Sequence, residues 1–307
     1  MGTGTGPIAK PAGLSLSTQR ALWAYAFLAV PMAFYLGLRI APAVSALVIS
    51  LHRWNIISPD KPFVGLANFR EIGADPLFWK AAANTIRYAA VGIPAQLAGG
   101  LVLALLLERI TRFRGLFRAI YFAPFVTPIV AAGWVWQWMY SPQFGPLNRV
   151  FDALGLPPQA FLRTPWEAPY AITAMVVWEF IGFQIVIFLA GLEGIPRVYY
   201  EAAEVDGASG FRLFRHITLP LLNPTLVFSA VYGTIIYLQL FTQVLNMTFN
   251  DPGGPLGSTE TVVLYVYQQG FQHFRMGPAA AATVLLFAAI LAITLLQLRV
   301  FSHEVEY

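Results

Sequence analysis

Residues 199–222 read YYEAAEVDGASGFRLFRHITLPLL and interrupt a chain that is otherwise mostly apolar. The stretch holds Glu201, Glu204 and Asp206, then Arg212, Arg215 and His216, with Gly207 between the two groups. Pro196 suits the first turn of a helix, and the segment after it is helix-prone until Gly207, which favours an end in the left-handed region. A second short helix is expected from about 210 to 218, stopped by Leu219-Pro220. Phe211, Phe214 and Ile217 are expected to pack inward while Arg212 and Arg215 face water. The spacing therefore predicts a solvent-facing helical hairpin spliced between two oily segments.

The flanks are the reason such a hairpin stands out. Of 307 residues, 57% are apolar and only 11% charged, where an ordinary soluble domain carries about 25% charged residues. Six apolar stretches, at about 22–50, 84–107, 118–139, 169–191, 225–247 and 279–300, are each long enough to cross a hydrocarbon core of about 30 Å. Prolines 94, 124 and 128 fall inside spans, where membrane helices tolerate them. Basic residues orient the spans. Lys10 and Arg20 precede the first, Arg109, Arg112, Arg114 and Arg118 lie between the second and third, and Arg197, Arg212 and Arg215 lie in the hairpin, so these segments are expected on the cytoplasmic side. Six tryptophans, among them Trp79, Trp134, Trp138 and Trp166, fall near the opposite boundary, as in a headgroup belt.

Other function classes find no support in the residues. There is no cysteine, hence no disulfide framework or thiolate chemistry. His52, His216, His273 and His303 lie in separate loops or tails without metal spacing. No GxSxG, HExxH or GxxxxGK[ST] occurs, so an intramembrane enzyme is the alternative class without a nominated nucleophile. The basic residues are dispersed among span ends, and no nucleic-acid partner is expected. Residues 1–21 are rich in Gly, Pro, Ser and Thr and are expected to form a disordered tail; GTGTG lacks the strand and Lys-Ser/Thr of a phosphate loop.

Inside the spans a polar pattern recurs. Thr225, Ser229, Tyr232, Gln239, Gln243 and Asn246 follow steps of 4, 3, 7, 4 and 3, which confines them to roughly one third of a straight helix. Such a stripe either bonds neighbouring helices or lines a path for a hydroxyl-rich solute. Glu179 is the most expensive residue, because a central carboxylate costs about 2.5 to 3.5 kcal/mol on insertion scales. It needs a cavity or a partner, and Arg87 and Arg39 are the candidate partners. Trp178 beside it is either packing or a stacking surface for a sugar ring.

Glu201-Ala202-Ala203, three residues, Gly207, nine residues, Ile217, one residue, Leu219-Pro220 resembles the EAA signature of permease subunits in binding-protein-dependent ABC importers. The segment 249–301, with DPGGP and STETVVLYVYQQGF, is similar to the end of sugar-type permeases of the maltose and glycerol-3-phosphate group. The resemblance implies an all-α membrane protein with six transmembrane helices, an ABC importer permease bundle with both termini cytoplasmic. It would lie in a bacterial or archaeal plasma (inner) membrane. The spanning domain would run over 22–301, with an inner coupling loop at 196–222 and a cytoplasmic tail at 302–307.

The same resemblance implies a role for Glu201, Ala202, Ala203, Asp206, Gly207, Ala208, Ser209, Phe211, Phe214, Ile217, Leu219 and Pro220 in docking a separate ATPase. ATP and magnesium would be held there, and no cofactor by this chain. Further implied partners are a second ATPase subunit, a second permease in an expected heterodimer, and an extracellular substrate-binding protein. The solute would be a sugar or oligosaccharide, along a path drawn from Glu179, Trp178, Tyr232, Gln239, Gln243 and Asn246. Glycerol-3-phosphate or a phosphodiester is the alternative and would need a cation such as Arg39 or Arg87. The extra N-terminal spans and large outer domain of the maltose-type subunit are not in this sequence.

Overall fold

The computed structural model describes residues 15–110 and 112–301, and among them the chain is helical, with two isolated β-bridges and no strand. The expected tails lie outside the described residues over 1–14 and 302–307. The chain divides into two compact units, through Val48 and from Ile49 onward, and each is described by itself.

The first unit is the greater part of helix α1, Leu16–Ser50. Helix begins at Leu16 and not at 22, because the Ser15 hydroxyl accepts from the Thr18 N–H at 3.2 Å and caps the first turn. A π turn at Leu36–Ile40 lies a few residues past Pro31. At 1.5 Å per residue, α1 is about 50 Å long, more than a bilayer core requires.

In the second unit a short helix α2, Ala67–Ala74, precedes α3, Pro76–Glu108. Asp75 caps α3 by accepting from the Leu77 N–H at 2.9 Å, with Pro76 at the first position. The centre of the bundle is α7, Ala168–Glu193, which is apolar on most of its circumference and is the most buried of the long helices. Ile172, Met175 and Val176 pack with Tyr88 of α3 nearer one end; Ile185, Phe188 and Leu189 pack with Leu101 and Ala104 nearer the other. At Gly182 the α7 backbone meets that of α4, Arg114–Val126, so closely that a Cβ would stand 1.9 Å from the Tyr121 carbonyl oxygen. Close approach of this kind is what small residues supply between membrane helices.

Two of the expected spans are broken. The third is α4 followed by α5, Ile129–Met139, at 96°. Thr127 is extended (φ −73°, ψ 136°) because the following Pro128 disfavours the helical region, and its hydroxyl satisfies the Ala123 carbonyl at 2.9 Å. The fifth runs as α10, Asn223–Leu238, then three non-helical residues, then α11, Thr242–Met247. The Leu240 carbonyl freed at this break accepts from the Thr261 hydroxyl at 2.7 Å. Between α5 and α7 lies α6, Pro146–Ala153.

The loop arms are α8, Arg197–Val205, and α9, Phe211–Leu221, and α9 meets α10 at 66°. The chain closes with α12, Val262–Tyr267, and α13, Met276–Phe301. Among the described residues, α1, α3, α7 and α13 are long and apolar enough to cross a membrane, and α4–α5 and α9–α10 are bent pairs that qualify jointly. Remote from residues 199–222, the segment before α12 leans on α3. The Asn84 amide donates to the Gly257 carbonyl at 3.0 Å, and burial pushes the Glu260 carboxyl up to about 7, against the pull of Gln268 and Lys80.

Candidate functional site

The loop begins at Pro196, the residue before α8, and turns at Gly207. The Gly207 N–H bonds to the Glu204 carbonyl at 3.0 Å and the Ala208 N–H to the Ala203 carbonyl at 2.9 Å, the paired bonds that close a helix with a left-handed residue after its cap. Gly207 has φ +80°, which glycine adopts without a Cβ clash. The two arms are tied together where the Tyr200 and Thr218 hydroxyls meet at 3.0 Å. Tyr200, Phe214 and Leu219 pack on the core end formed by Leu192 and Leu222, and Ile217 is half-buried. The outward side carries Glu201, Ala202, Asp206, Gly207, Ser209 and Pro220, all exposed, with Ala203 and Ala208 half-buried.

Two expectations for this loop are corrected. Phe211 does not pack inward; it is 74% exposed, because its arm starts there after Gly210 and only the next turn reaches the bundle. The second arm does not stop at Pro220. A π turn at Phe214–Thr218 precedes the proline, and the Leu222 N–H reaches the Thr218 carbonyl at 2.9 Å, so the helix runs on to Leu221. Val205, 89% exposed, and Val198, 61% exposed, join Ala202 in an outward apolar row. Their steps of 4 and 3 along α8 were the legible signal. Exposed apolar rows of this kind are a feature that contact surfaces carry.

The loop also walls a cleft of about 590 Å³ shared with the start of α4 and the end of α7, lined by Glu108, Arg114, Glu193, Arg197, Tyr200 and Glu201. Arg114 and Arg118 donate to one oxygen of Glu193, at 2.9 and 3.0 Å.

Within the bundle, Gln243 of α11 donates to the Glu179 carboxylate of α7 at 3.1 Å, and both are buried, each 5% exposed. Within the second unit the partner of Glu179 is thus an amide and not Arg87, which lies on an exposed side of α3. One helical turn along α7, the Phe183 ring lies 4.9 Å from that of Tyr232. Gln184 donates to the Ser229 hydroxyl at 2.6 Å.

The break after Leu238 dissolves the continuous stripe. Gln239 is exposed at the helix end, while Gln243 re-enters the bundle on a new helix. Asn246 packs against Gly133 of α5, and its amide nitrogen is buried without a hydrogen-bond partner, as is the Tyr237 hydroxyl. Trp178 belongs elsewhere. It lies edge-on to Trp136 at 5.4 Å and lines an apolar groove with Ile181 and Pro124. Beyond α11 a second cleft, about 430 Å³, is lined by Gln137, Tyr140, Arg163, Thr248, Asn250 and Asp251. No periodic pattern singles these out, since they come from three separate segments.

Residues 96–305 match the family described as binding-protein-dependent transport system inner membrane component. The chain is 35% identical over 261 residues to the trehalose/maltose transport system permease protein MalF of Thermococcus litoralis, covering 85% of this chain and 87% of that one. It is 32% identical over 267 residues to the sn-glycerol-3-phosphate transport system permease protein UgpA of Agrobacterium fabrum, covering 87% and 90%. Its fold matches a chain of a bacterial alginate ABC transporter solved in complex with an alginate pentasaccharide-bound periplasmic protein, with a TM-score of 0.79, 22% identity and coverage of 92% and 95%. The chain therefore belongs to the binding-protein-dependent transport system inner membrane components, as a transporter subunit and not an enzyme.

Proposed function

We propose that this chain is the permease of a sugar or oligosaccharide importer and crosses a bacterial or archaeal plasma membrane six times, each bent pair counting as one span, with both termini cytoplasmic. It pairs with a second permease, seats its 196–222 loop in separate ATPase subunits that hold ATP and magnesium, and takes solute from an extracytoplasmic binding protein. The observation that carries the path is the Glu179–Gln243 hydrogen bond, a polar pair from two helices inside an apolar bundle. Buried polar groups without a structural need cost too much to keep, and Tyr232, Asn246 and Tyr237 extend the pair into a set of hydroxyl and amide groups suited to a sugar. The cleft around Gln137 and Asp251 is its mouth.

The resemblance to a glycerol-3-phosphate permease favours a phosphate ester as second reading. A carboxyl group, and no cation, stands beside Gln243, which speaks for the uncharged solute. The test is uptake into vesicles holding the assembled importer. Glu179→Leu and Gln243→Leu are each expected to lower maltose or trehalose uptake about tenfold per folded molecule, the size of one lost buried hydrogen bond. Gln239→Leu, at the exposed break, is expected to leave uptake within about twofold. Equal losses at all three positions, or uptake of glycerol-3-phosphate alone, reject the path or the solute class.

The loop reading has a direct test, since the chain holds no cysteine of its own. Ala208→Cys is expected to crosslink to a cysteine in the ATPase cleft, which requires an approach within roughly 6 Å between Cα atoms, with a yield that changes with nucleotide. Leu256→Cys, 80% exposed at the far end, is expected to react with impermeant reagents from outside the cell. Labelling of position 208 from outside overturns both orientation and coupling.

A further inference from the structure

On one flank of the second unit a groove of about 660 Å³ opens between α3, α4 and α7, and its walls are almost wholly apolar. Val91 and Leu103 of α3, Ile120 and Pro124 of α4, and Val177 and Ile181 of α7 line it. The α3 face that brings Val91 and Ala95 to the groove runs on along its border to the helix end, since Val91, Ala95, Val102, Leu106 and Arg109 recur at steps of 4, 7, 4 and 3. Val102 and Leu106 are 55% and 53% exposed, and Ile120 of the facing wall is 57% exposed. From Val91 to Leu103 the groove runs about 18 Å, close to the thickness of one leaflet.

The end where α3 stops and α4 starts carries a cluster of arginines. Arg109, Arg112, Arg114 and Arg118 lie within ten residues, and the adjoining cleft adds Arg197 on one side of the balance and Glu108, Glu193, Glu201 and Glu204 on the other. Glu193 is already shared by Arg114 and Arg118 through a single oxygen, and the Nε atoms of both arginines are buried without a hydrogen-bond partner. Among the described residues, no carboxylate lies within ion-pair distance of Arg109 or Arg112. An apolar channel one leaflet deep, whose walls run on toward two arginines without an ion-pair partner, complements a molecule with a fatty tail and an anionic head.

We propose that this groove holds an acyl chain of an anionic diacyl phospholipid whose phosphate sits at Arg109 and Arg112. The proposal rests on α3 and α7 crossing a bilayer and holds for either orientation of the chain. A zwitterionic lipid offers the same tails without net charge, so selectivity must come from the arginines. Free phosphate lacks the tail and gains nothing from the groove.

The test uses the full chain in detergent micelles doped with phosphatidylglycerol carrying a photoreactive group midway along one acyl chain, beside the equivalent phosphatidylcholine. Phosphatidylglycerol is expected to label peptides within 91–124 and 170–181 roughly fivefold more than phosphatidylcholine, the selectivity that about one retained basic contact supplies. Joint Arg109→Gln and Arg112→Gln is expected to bring labelling to the phosphatidylcholine level, joint replacement by Lys to keep most of it, and 10 mM phosphate to leave it unchanged. Ala95→Trp, which fills the groove from an exposed lining position, is expected to lower labelling by both lipids, with monodispersity reporting that each variant folds.

Equal labelling by the two lipids overturns the proposal. So does crosslinking of Ala95→Cys to a neighbouring polypeptide with loss of lipid label, which assigns the groove to a protein helix. Absence of label from α3, α7 and α13 altogether overturns the bilayer reading as well, and is distinguishable from equal labelling.

Discussion

Glu201→Lys is expected to abolish ATP-driven uptake by the assembled importer while leaving the chain folded and inserted. Glu201 is exposed on α8, so reversing its charge takes nothing from the core. The same side of the loop presents Val198, Ala202 and Val205, and such a row becomes dry when a partner covers it. In the proposed docked state Glu201 pairs with a cation of the ATPase inside a desolvated contact, and the ammonium that replaces it would face that cation. Breaking a buried interfacial charge pair costs about 2 to 5 kcal/mol, which corresponds to a loss of at least roughly 30-fold.

Glu201→Gln keeps the shape, removes only the attraction and is expected to fall in between. Val205→Asp, acting through desolvation of a new charge on the same face, is expected to match Glu201→Lys. The measurement is uptake and ATP hydrolysis in vesicles, normalised to folded permease. Wild-type coupling in the Glu201→Lys importer removes the docking role of this residue.

Gly182→Ala is expected to be the most damaging small substitution in the bundle. The added methyl would stand 1.9 Å from the Tyr121 carbonyl oxygen, 2.6 Å from its carbon and 2.8 Å from the Phe122 Cα. All three are backbone atoms, so no rotamer change makes room, and α4 must move off α7. Overpacking that side chains can absorb costs about 1 to 3 kcal/mol; displacing a helix is expected to reach or exceed the top of that range. Folded yield by size-exclusion chromatography is expected to fall at least several-fold.

Two controls bracket the effect. At Gly191 the nearest atoms are side chains of Thr225 and Leu222, which can shift, so Ala there is expected to be milder. At Gly73, within α2, nothing lies within 4 Å, and Ala is expected to be neutral or to stabilise by about 0.5 to 1 kcal/mol. Normal yield of Gly182→Ala would mean that α4 and α7 are not in contact at this point.

The coupling loop was the most legible part of the molecule. Its helix end at Gly207 follows from chemistry contained within a few residues, a left-handed position and two carbonyls to satisfy. The family signature is read from side chains at fixed separation, and solvent-facing residues keep that order because nothing else competes for them. Pro220 went the other way. Its local rule says stop, yet a π turn one step earlier re-registers the backbone, and packing of Phe214 and Leu219 on the core favours continuing.

Long-range geometry decided which polar groups meet inside the bundle. A straight helix would have placed Gln239, Gln243 and Asn246 on one face, and the break at residues 239–241 put Gln239 outside and Gln243 against Glu179. That break is held by Thr261, remote in sequence, which satisfies the Leu240 carbonyl. Glu179 could be known from sequence as a residue in need of a partner, because the cost of a buried carboxylate is a property of the group itself. Which partner it found depended on where a kinked helix re-entered the bundle. Composition, span candidates and the docking loop were written in the 307 residues, since burial preference and turn chemistry act locally. The 96° bend of the third span, the Gly182 contact and the polar pair at its core required the tertiary structure, since each depends on atoms brought together by packing and not by spacing.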